Sequence, residues 1–293
     1  MKRQTANRQC QPKQRLLIFI FVALVLAVFA ACGRTPDNTV ATNVGADEVL
    51  RGMSERLANA RRLTFEVTSQ NSSLVEGHST PETVQIEIAV SRPNKVMAKL
   101  RSDDGVRRFY ADGTNVTLLD EGRKLYATIS LLGTIDETVA RFDAKYEFIP
   151  PLAEFTLNDP YKKISQQIQS NTYVEREIVN RVECHHLKLV GKLADADLWI
   201  TTKEQLPLRL ITTYKEREGS PQLRADFSEW NLSATFDDQV FSFVPPKDAA
   251  KIEMIAIFLE KENELKAARK QRKQKWPTWE LVGKKPNPGV SAQ

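Results

Sequence analysis

The sequence predicts a mainly β, α+β fold: an antiparallel sheet of about eleven strands, with helices at the start, middle and end of the chain. Three observations predict it. Val182–Leu232 reads as four strands in succession, Val182–Val190, Asp197–Thr202, Leu206–Arg217 and Gln222–Leu232. In the third, Leu206, Leu208 and Leu210 alternate with Pro207, Arg209 and Ile211, the two-residue period of a strand, and are expected to share one buried face. The short joins Lys203–Gln205 and Glu218–Pro221 imply an antiparallel meander. The N-terminal half carries a second series of strands. Both series need a cover, because a lone sheet cannot bury its apolar side.

The elements follow in order. Asp47–Arg61 is the first helix, with Asp47 as N-cap and Val49, Leu50, Met53 and Leu57 on one face. Leu63, Phe65 and Val67 then alternate with polar residues, as do Val84, Ile86, Ile88 and Val90. Arg92-Pro93-Asn94 turns the chain into Lys95–Arg101. Val106–Ala111 meets Asp112-Gly113, a tight-hairpin signal, and Asn115–Leu119 pairs with Lys124–Leu131. Gly133–Tyr146 has helical spacing at Ile135, Val139 and Phe142. Pro150-Pro151 stops it, and Leu152–Leu157 and Asp159–Ile168 read as two short helical pieces. After the four strands come a short one at Val240–Phe243 and a helix over Asp248–Lys275.

The chain opens with an address. Residues 1–15 hold Lys2, Arg3, Arg8, Lys13 and Arg15 and no acid, and Leu16–Ala31 is uninterruptedly apolar. A basic segment before such a run marks a secretory signal peptide over 1–31. A membrane-spanning anchor usually needs about 20 apolar residues, more than this run supplies. The run ends Phe29-Ala30-Ala31-Cys32-Gly33, which resembles a bacterial lipobox and makes Cys32 the lipid attachment site. It departs from the usual pattern at Phe29, where leucine is common. The alternative is ordinary cleavage after Ala30, with Val28 and Ala30 as the small residues. Residues 32–46 then form a polar tether. Gly33 stands where an aspartate commonly retains lipoproteins in the inner membrane, which favours the outer membrane.

Charge and cysteine content narrow the function classes. Of 42 basic and 37 acidic residues, five basic ones lie in the leader, so the remainder balances and gives no support to nucleic-acid binding. Cys10 leaves with the signal, and with Cys32 acylated Cys184 has no partner for a disulfide. The tail from Lys261 holds nine basic and three acidic residues with Trp276 and Trp279. It reads as a solvated extension over 276–293, or as a contact to anionic headgroups.

Catalytic patterns are scarce. There is no GxSxG, P-loop or GxGxxG motif. Cys184 and His186 are two apart on a strand and share a face, while His185 points to the other. A thiol and an imidazole so placed could share a metal or form a nucleophile–base pair, yet a structural zinc site needs four ligands and the one further histidine is His78. The expectation is a structural thiol, no catalytic residue, no metal and no cofactor. Carboxylate pairs such as Asp103/Asp104, Glu175/Glu177 and Asp237/Asp238 lie near turns or on strand faces.

Several stretches resemble one family. Phe109-Tyr110-Ala111-Asp112-Gly113, Gly133-Thr134-Ile135-Asp136, Cys184-His185-His186-Leu187, Leu206-Pro207-Leu208 and Phe241-x-Phe243-x-Pro245-Pro246 are similar to the bacterial predicted periplasmic proteins called domain of unknown function 2092. That family is similar in fold to the LolA/LolB lipoprotein-carrier superfamily. The resemblance implies an unclosed antiparallel β-barrel over 47–247, with helices over its open side and a cavity for apolar chains between them. It makes His186, Tyr126, Trp199, Tyr214 and Trp230 candidates for lining that cavity. The expected protein is a lipid-anchored binding module of the cell envelope facing the periplasm, not an enzyme. Its partner is a lipid or acyl chain, with the membrane reached through Cys32. Two alternatives stand beside it: a structural or interaction protein of the envelope, and a Cys/His metal or thiol protein. The oligomeric state is left open.

Overall fold

In a computed structural model, residues 45–75, 78–146, 152–215 and 219–254 are described. The leader, Cys32, nearly all of the tether and the tail lie outside them. Among the described residues, twelve strands form one open sheet: β1 Arg62–Val75, β2 His78–Ser91, β3 Lys95–Ser102, β4 Gly105–Ala111, β5 Asn115–Asp120, β6 Leu125–Ser130, β7 Ile168–Val179, β8 Val182–Gly191, β9 Ala194–Thr201, β10 Pro207–Tyr214, β11 Gln222–Asn231 and β12 Ala250–Lys251. Their order is β12-β6-β5-β4-β3-β2-β1-β11-β10-β9-β8-β7. Two meanders, β1–β6 and β7–β11, therefore meet at a single seam, β1 against β11. The sheet is not closed. Every pair is antiparallel except β12 with β6.

Three helices cover one face: α1 Ala46–Ala58, α2 Ile135–Tyr146 and α3 Pro160–Gln167. Each buries an apolar stripe at helical spacing. Leu50, Met53 and Leu57 of α1 are fully buried, and Ile135, Val139 and Phe142 of α2 and Ile164 of α3 are buried. They meet the odd-numbered residues of β1 (Leu63, Phe65, Val67) and Leu187, Leu198 and Leu210 of the second meander in one core. Truncating a leucine in such a core costs about 2–5 kcal/mol. α1 and α3 are tied by Arg51, which lies 3.9 Å over the Tyr161 ring, and by Tyr161 Oη, which donates to Asp47 at 2.6 Å.

Arg92 is the main polar tie beneath this layer. Its Nε donates to the Ala60 carbonyl at 3.1 Å and Nη2 to Leu57 at 3.2 Å, at the end of α1. Nη1 reaches the carbonyls of Thr156 at 2.8 Å and of Leu157. One side chain thus joins the end of β2, the end of α1 and the 3₁₀ turn Ala153–Thr156. Burial pulls its pKa down to about 10.

The opposite face of the first meander is crossed by the segment after β11. Asp238 bonds to Arg62 and Lys95, each at 2.8 Å. Phe241 is buried, and the Phe243 ring packs 5.7 Å from Tyr110 and 5.0 Å from Tyr126. The strap ends by pairing Ala250 and Lys251 beside β6.

The structure corrects several expectations. The open, mainly β sheet of about eleven strands is itself borne out, with twelve strands among the described residues. β7 carries little alternation because it is an edge strand: Glu175, Arg176 and Ile178 are exposed. Val240–Phe243 is not a strand. The Asp237 side chain accepts from Gln239 N at 2.8 Å and starts a 3₁₀ turn over Asp238–Phe241. Helix does not begin at Asp248, because Ala250 N and Ile252 N bond to the Lys124 and Tyr126 carbonyls instead. Met254 is the first helical residue there, and the rest of the helix expected over Asp248–Lys275 lies outside the described residues. Gly45, not Asp47, caps α1, and Asp47 sits in its first turn bonded to Arg51. Leu206 and Leu210 are buried in the main core, but Leu208 is not. A bulge between Pro207 and Arg209 rephases the strand and turns Leu208 to the other face, beside Ile211.

Candidate functional site

Strict alternation in the first meander lays three rows of side chains on the helix-facing side. One runs Leu63, Val90, Val96, Ala111, Val116, Ile129 across β1–β6. The next runs Phe65, Ile88, Ala98, Phe109, Leu118, Ala127. The third begins Val67, Ile86, Leu100 and then becomes ionic at Arg107 and Asp120. Towards β1 these residues are buried under the helices. Towards β6 the cover is uneven: Ala111, Val116 and Ala127 are buried, whereas Ala98, Leu100, Phe109, Leu118 and Ile129 pack against the core yet stay partly exposed among the described residues. A contiguous apolar surface that is partly open is the kind of surface that takes a ligand or a partner.

Aromatic rings bound this surface on the seam side. Trp230 stacks on Phe65 with centroids 4.3 Å apart, and its Nε1 donates to the Pro207 carbonyl at 2.9 Å. Phe227 and Phe155 meet edge to face at 4.9 Å. At the far end Arg107 Nε donates to Asp120 Oδ2 at 2.9 Å. Asp120 is 5% exposed and also accepts from the Arg123 backbone N at 3.0 Å. In the 3₁₀ turn that precedes α3, burial raises the pKa of Glu154.

The five cavity candidates do not converge. Trp230 lies on the helix-facing side at the seam, and Tyr214 shares the Leu210 side of β10 by alternation. Tyr126 lies on the opposite face under Phe243. His186 and Trp199 also lie on the opposite face, stacked at 4.3 Å. There His186 Nε2 bonds to Asp197 at 2.9 Å, and Trp199 Nε1 donates to Glu177 at 2.7 Å. Cys32 lies outside the described residues.

Cys184 and His186 do share a face, and His185 is on the other, bonded to Tyr173 Oη at 3.1 Å. Burial holds the His185 pKa below its usual value. Cys184 is fully buried in a small cluster with Val179 and Trp199. Its Sγ is 3.6 Å from the Val182 carbonyl. Burial, followed by the Glu177 charge, pushes its pKa up to about 11, so the thiolate form is scarce at neutral pH. His186 is held between carboxylates and a ring. Among the described residues no three His, Cys, Asp or Glu side chains are grouped to hold a metal.

The residues that sequence reading did not single out are Arg107, Asp120, Leu118 and Ile129. The signal was present in the alternation of β4–β6, but nothing local marks which face the helices cover.

Comparison with known proteins gives one family. The model of DUF2092, described as a predicted periplasmic protein, matches residues 46–255. No curated protein matches the chain. Similar crystal structures include the Mycobacterium tuberculosis lipoprotein LppX, at 11% identity and TM-score 0.38 over 66% of this chain and 98% of that one. A LolA superfamily protein from Nitrosomonas europaea is similar at 11% identity and TM-score 0.34, over 68% and 98%. A putative outer membrane lipoprotein-sorting protein domain from Vibrio parahaemolyticus is similar at 6% identity and TM-score 0.35, over 67% and 95%.

Proposed function

The chain belongs to the DUF2092 family of predicted periplasmic proteins, and from that premise we propose that it is an envelope lipoprotein that binds an apolar chain between sheet and helices, without catalysing a reaction. The observation that carries this reading is the partly open apolar surface of β3–β6, where Ala98, Leu100, Phe109, Leu118 and Ile129 lie side by side. An acyl chain laid there gains about 0.8 kcal/mol for each CH₂ removed from water. Such binding needs no nucleophile, which agrees with the buried, weakly acidic Cys184. In this reading residues 1–31 are a cleaved signal, Cys32 carries the lipid anchor, residues 32–46 are the tether and the tail from 276 trails from the domain.

Native mass spectrometry with lipid extraction tests it, on protein purified from its own envelope. A stoichiometric apolar adduct is expected, lost when Phe109 and Leu118 are both replaced by glutamine. Protein that emerges free of lipid and takes up none in solution would leave the structural alternative in its place. The anchor is tested by intact mass: Cys32→Ala should abolish acylation, and an unmodified chain beginning at Ala31 would refute it.

A further inference from the structure

Resting on that reading, we propose that the bound chain is a long-chain carboxylate whose head is held by Arg107. The argument begins with a misfit. Arg107 lies on the same side of β4 as Phe109 and Ala111, across from Leu100 on β3. A charge on an apolar face is costly unless it is paired. Its pair is Asp120, directly opposite on β5, with Nε 2.9 Å from Oδ2.

The pairing leaves one edge of Arg107 unused. Asp120 is already engaged in its own turn, where Oδ1 accepts from Arg123 N at 3.0 Å and Oδ2 lies 3.8 Å from Arg123 Nε. Arg107 spends only Nε on Asp120, and its side chain is 30% exposed. No acceptor among the described residues is bonded to its Nη1 or Nη2. That free edge presents parallel N–H donors, the arrangement that meets the two oxygens of a carboxylate.

The spacing suits a chain-like ligand with a head at one end. From Asp120 to Val116 the apolar side of β5 runs about 14 Å at ~3.4 Å per residue. Leu118 and Phe109 line the middle of that path and Ile129 its far end. The ionic row stands at one end of these residues, which sets a head at Arg107 and a tail towards Ile129.

The test measures binding to the full-length mature protein by displacement of an apolar fluorescent dye. The competitors are a saturated fatty acid, the primary alcohol of the same length, and vesicles of phosphatidylglycerol. The acid is expected to bind about tenfold more tightly than the alcohol, equivalent to ~1.4 kcal/mol. Arg107→Gln should bring the two together by weakening the acid and leaving the alcohol unchanged, and Arg107→Lys should restore part of the difference. If Arg107→Gln fails to fold with Asp120 unpaired, Arg107→Gln with Asp120→Asn removes both charges and must give the same levelling. Equal binding of acid and alcohol by the unaltered protein, or a preference that survives Arg107→Gln, overturns the head-group assignment while leaving the apolar site in place. Uptake of phosphatidylglycerol in preference to the fatty acid overturns the carboxylate. Binding of neither competitor overturns the apolar site itself, as expected if the surface is filled by the protein's own chain.

Discussion

Arg92→Met removes a cation from beneath the helical layer and replaces it with an apolar side chain of similar length. The guanidinium binds carbonyls of Leu57, Ala60, Thr156 and Leu157. Hydrogen bonds to charged groups contribute about 1.5–3 kcal/mol each, and they are not additive when made by one side chain. Against this stands the cost of burying the charge. A pKa pulled down by burial from the ordinary arginine value to about 10 corresponds to roughly 3 kcal/mol disfavouring the charged form. Methionine relieves that cost but leaves the carbonyls of Ala60, Thr156 and Leu157 without the Arg92 donor, at about 1 kcal/mol or more each, while Leu57 still accepts from Ala60 N at 3.2 Å. The expected net loss is ~2–4 kcal/mol, and a domain of this size loses ~2–4 °C in Tm for each kcal/mol. Urea unfolding gives the free energy, and an unchanged m-value shows that the denatured state is not altered. Amide exchange gives the location: protection should fall at the end of α1 and in 152–159, and stay unchanged in β8 and β9. A variant within ~0.5 kcal/mol of the parent would refute the view that Arg92 pins these segments together.

Three further predictions concern single side chains. Cys184→Ala should cost about 1 kcal/mol, as for a small filled site, and the native thiol should label slowly until denaturant is added, because its pKa is raised to about 11. For Glu154, burial lifts the folded pKa above the unfolded one, so the native state keeps a proton that the unfolded chain has already released. Stability therefore falls as pH rises through that interval. Glu154→Gln should raise the melting temperature at neutral pH and change it little below about pH 4, and calorimetry at both values checks the sign. Leu210→Asp should prevent folding, whereas Leu208→Asp, on the bulge and on the other face, should leave a folded protein with a loss of ~1–2 kcal/mol. Equal damage from the two, read by circular dichroism, would contradict the bulge.

The parts of the fold legible in the sequence are those whose burial is one-sided. β2 and α2 could be read because water on one side and core on the other impress a period on the residues. β7 could not, because at the edge Glu175, Arg176 and Ile178 all meet solvent. Leu208 misled because a bulge is a property of two strands, and the phase of β10 is reset by how it meets Ile200 and Trp199. The start of the last helix misled because the backbone of Ala250 found partners on β6. For the site, alternation placed Phe109 and Leu118 on one side, but long-range packing decides which side the helices take. The aromatic residues chosen from the sequence divide between the two faces for that reason. Arg107 carries no local mark, because Asp120 stands opposite it only once β4 and β5 pair.

The seam between β1 and β11 also sets a timetable. β1 ends at Val75 and its second partner does not begin until Gln222, so roughly 150 residues must be made before that ladder can zip, and closing a loop that long is slow as well as entropically costly. The hairpins of β1–β6 can form long before. During the wait β1 is the bare border of a half-built sheet, open to any stray strand. Its composition suits that interval: Gln70, Asn71 and Ser72, which later meet Arg224, Leu223 and Gln222, give the waiting border a polar stretch with little to offer a passing apolar segment. This late ladder is guarded by the residues that make it least adhesive beforehand.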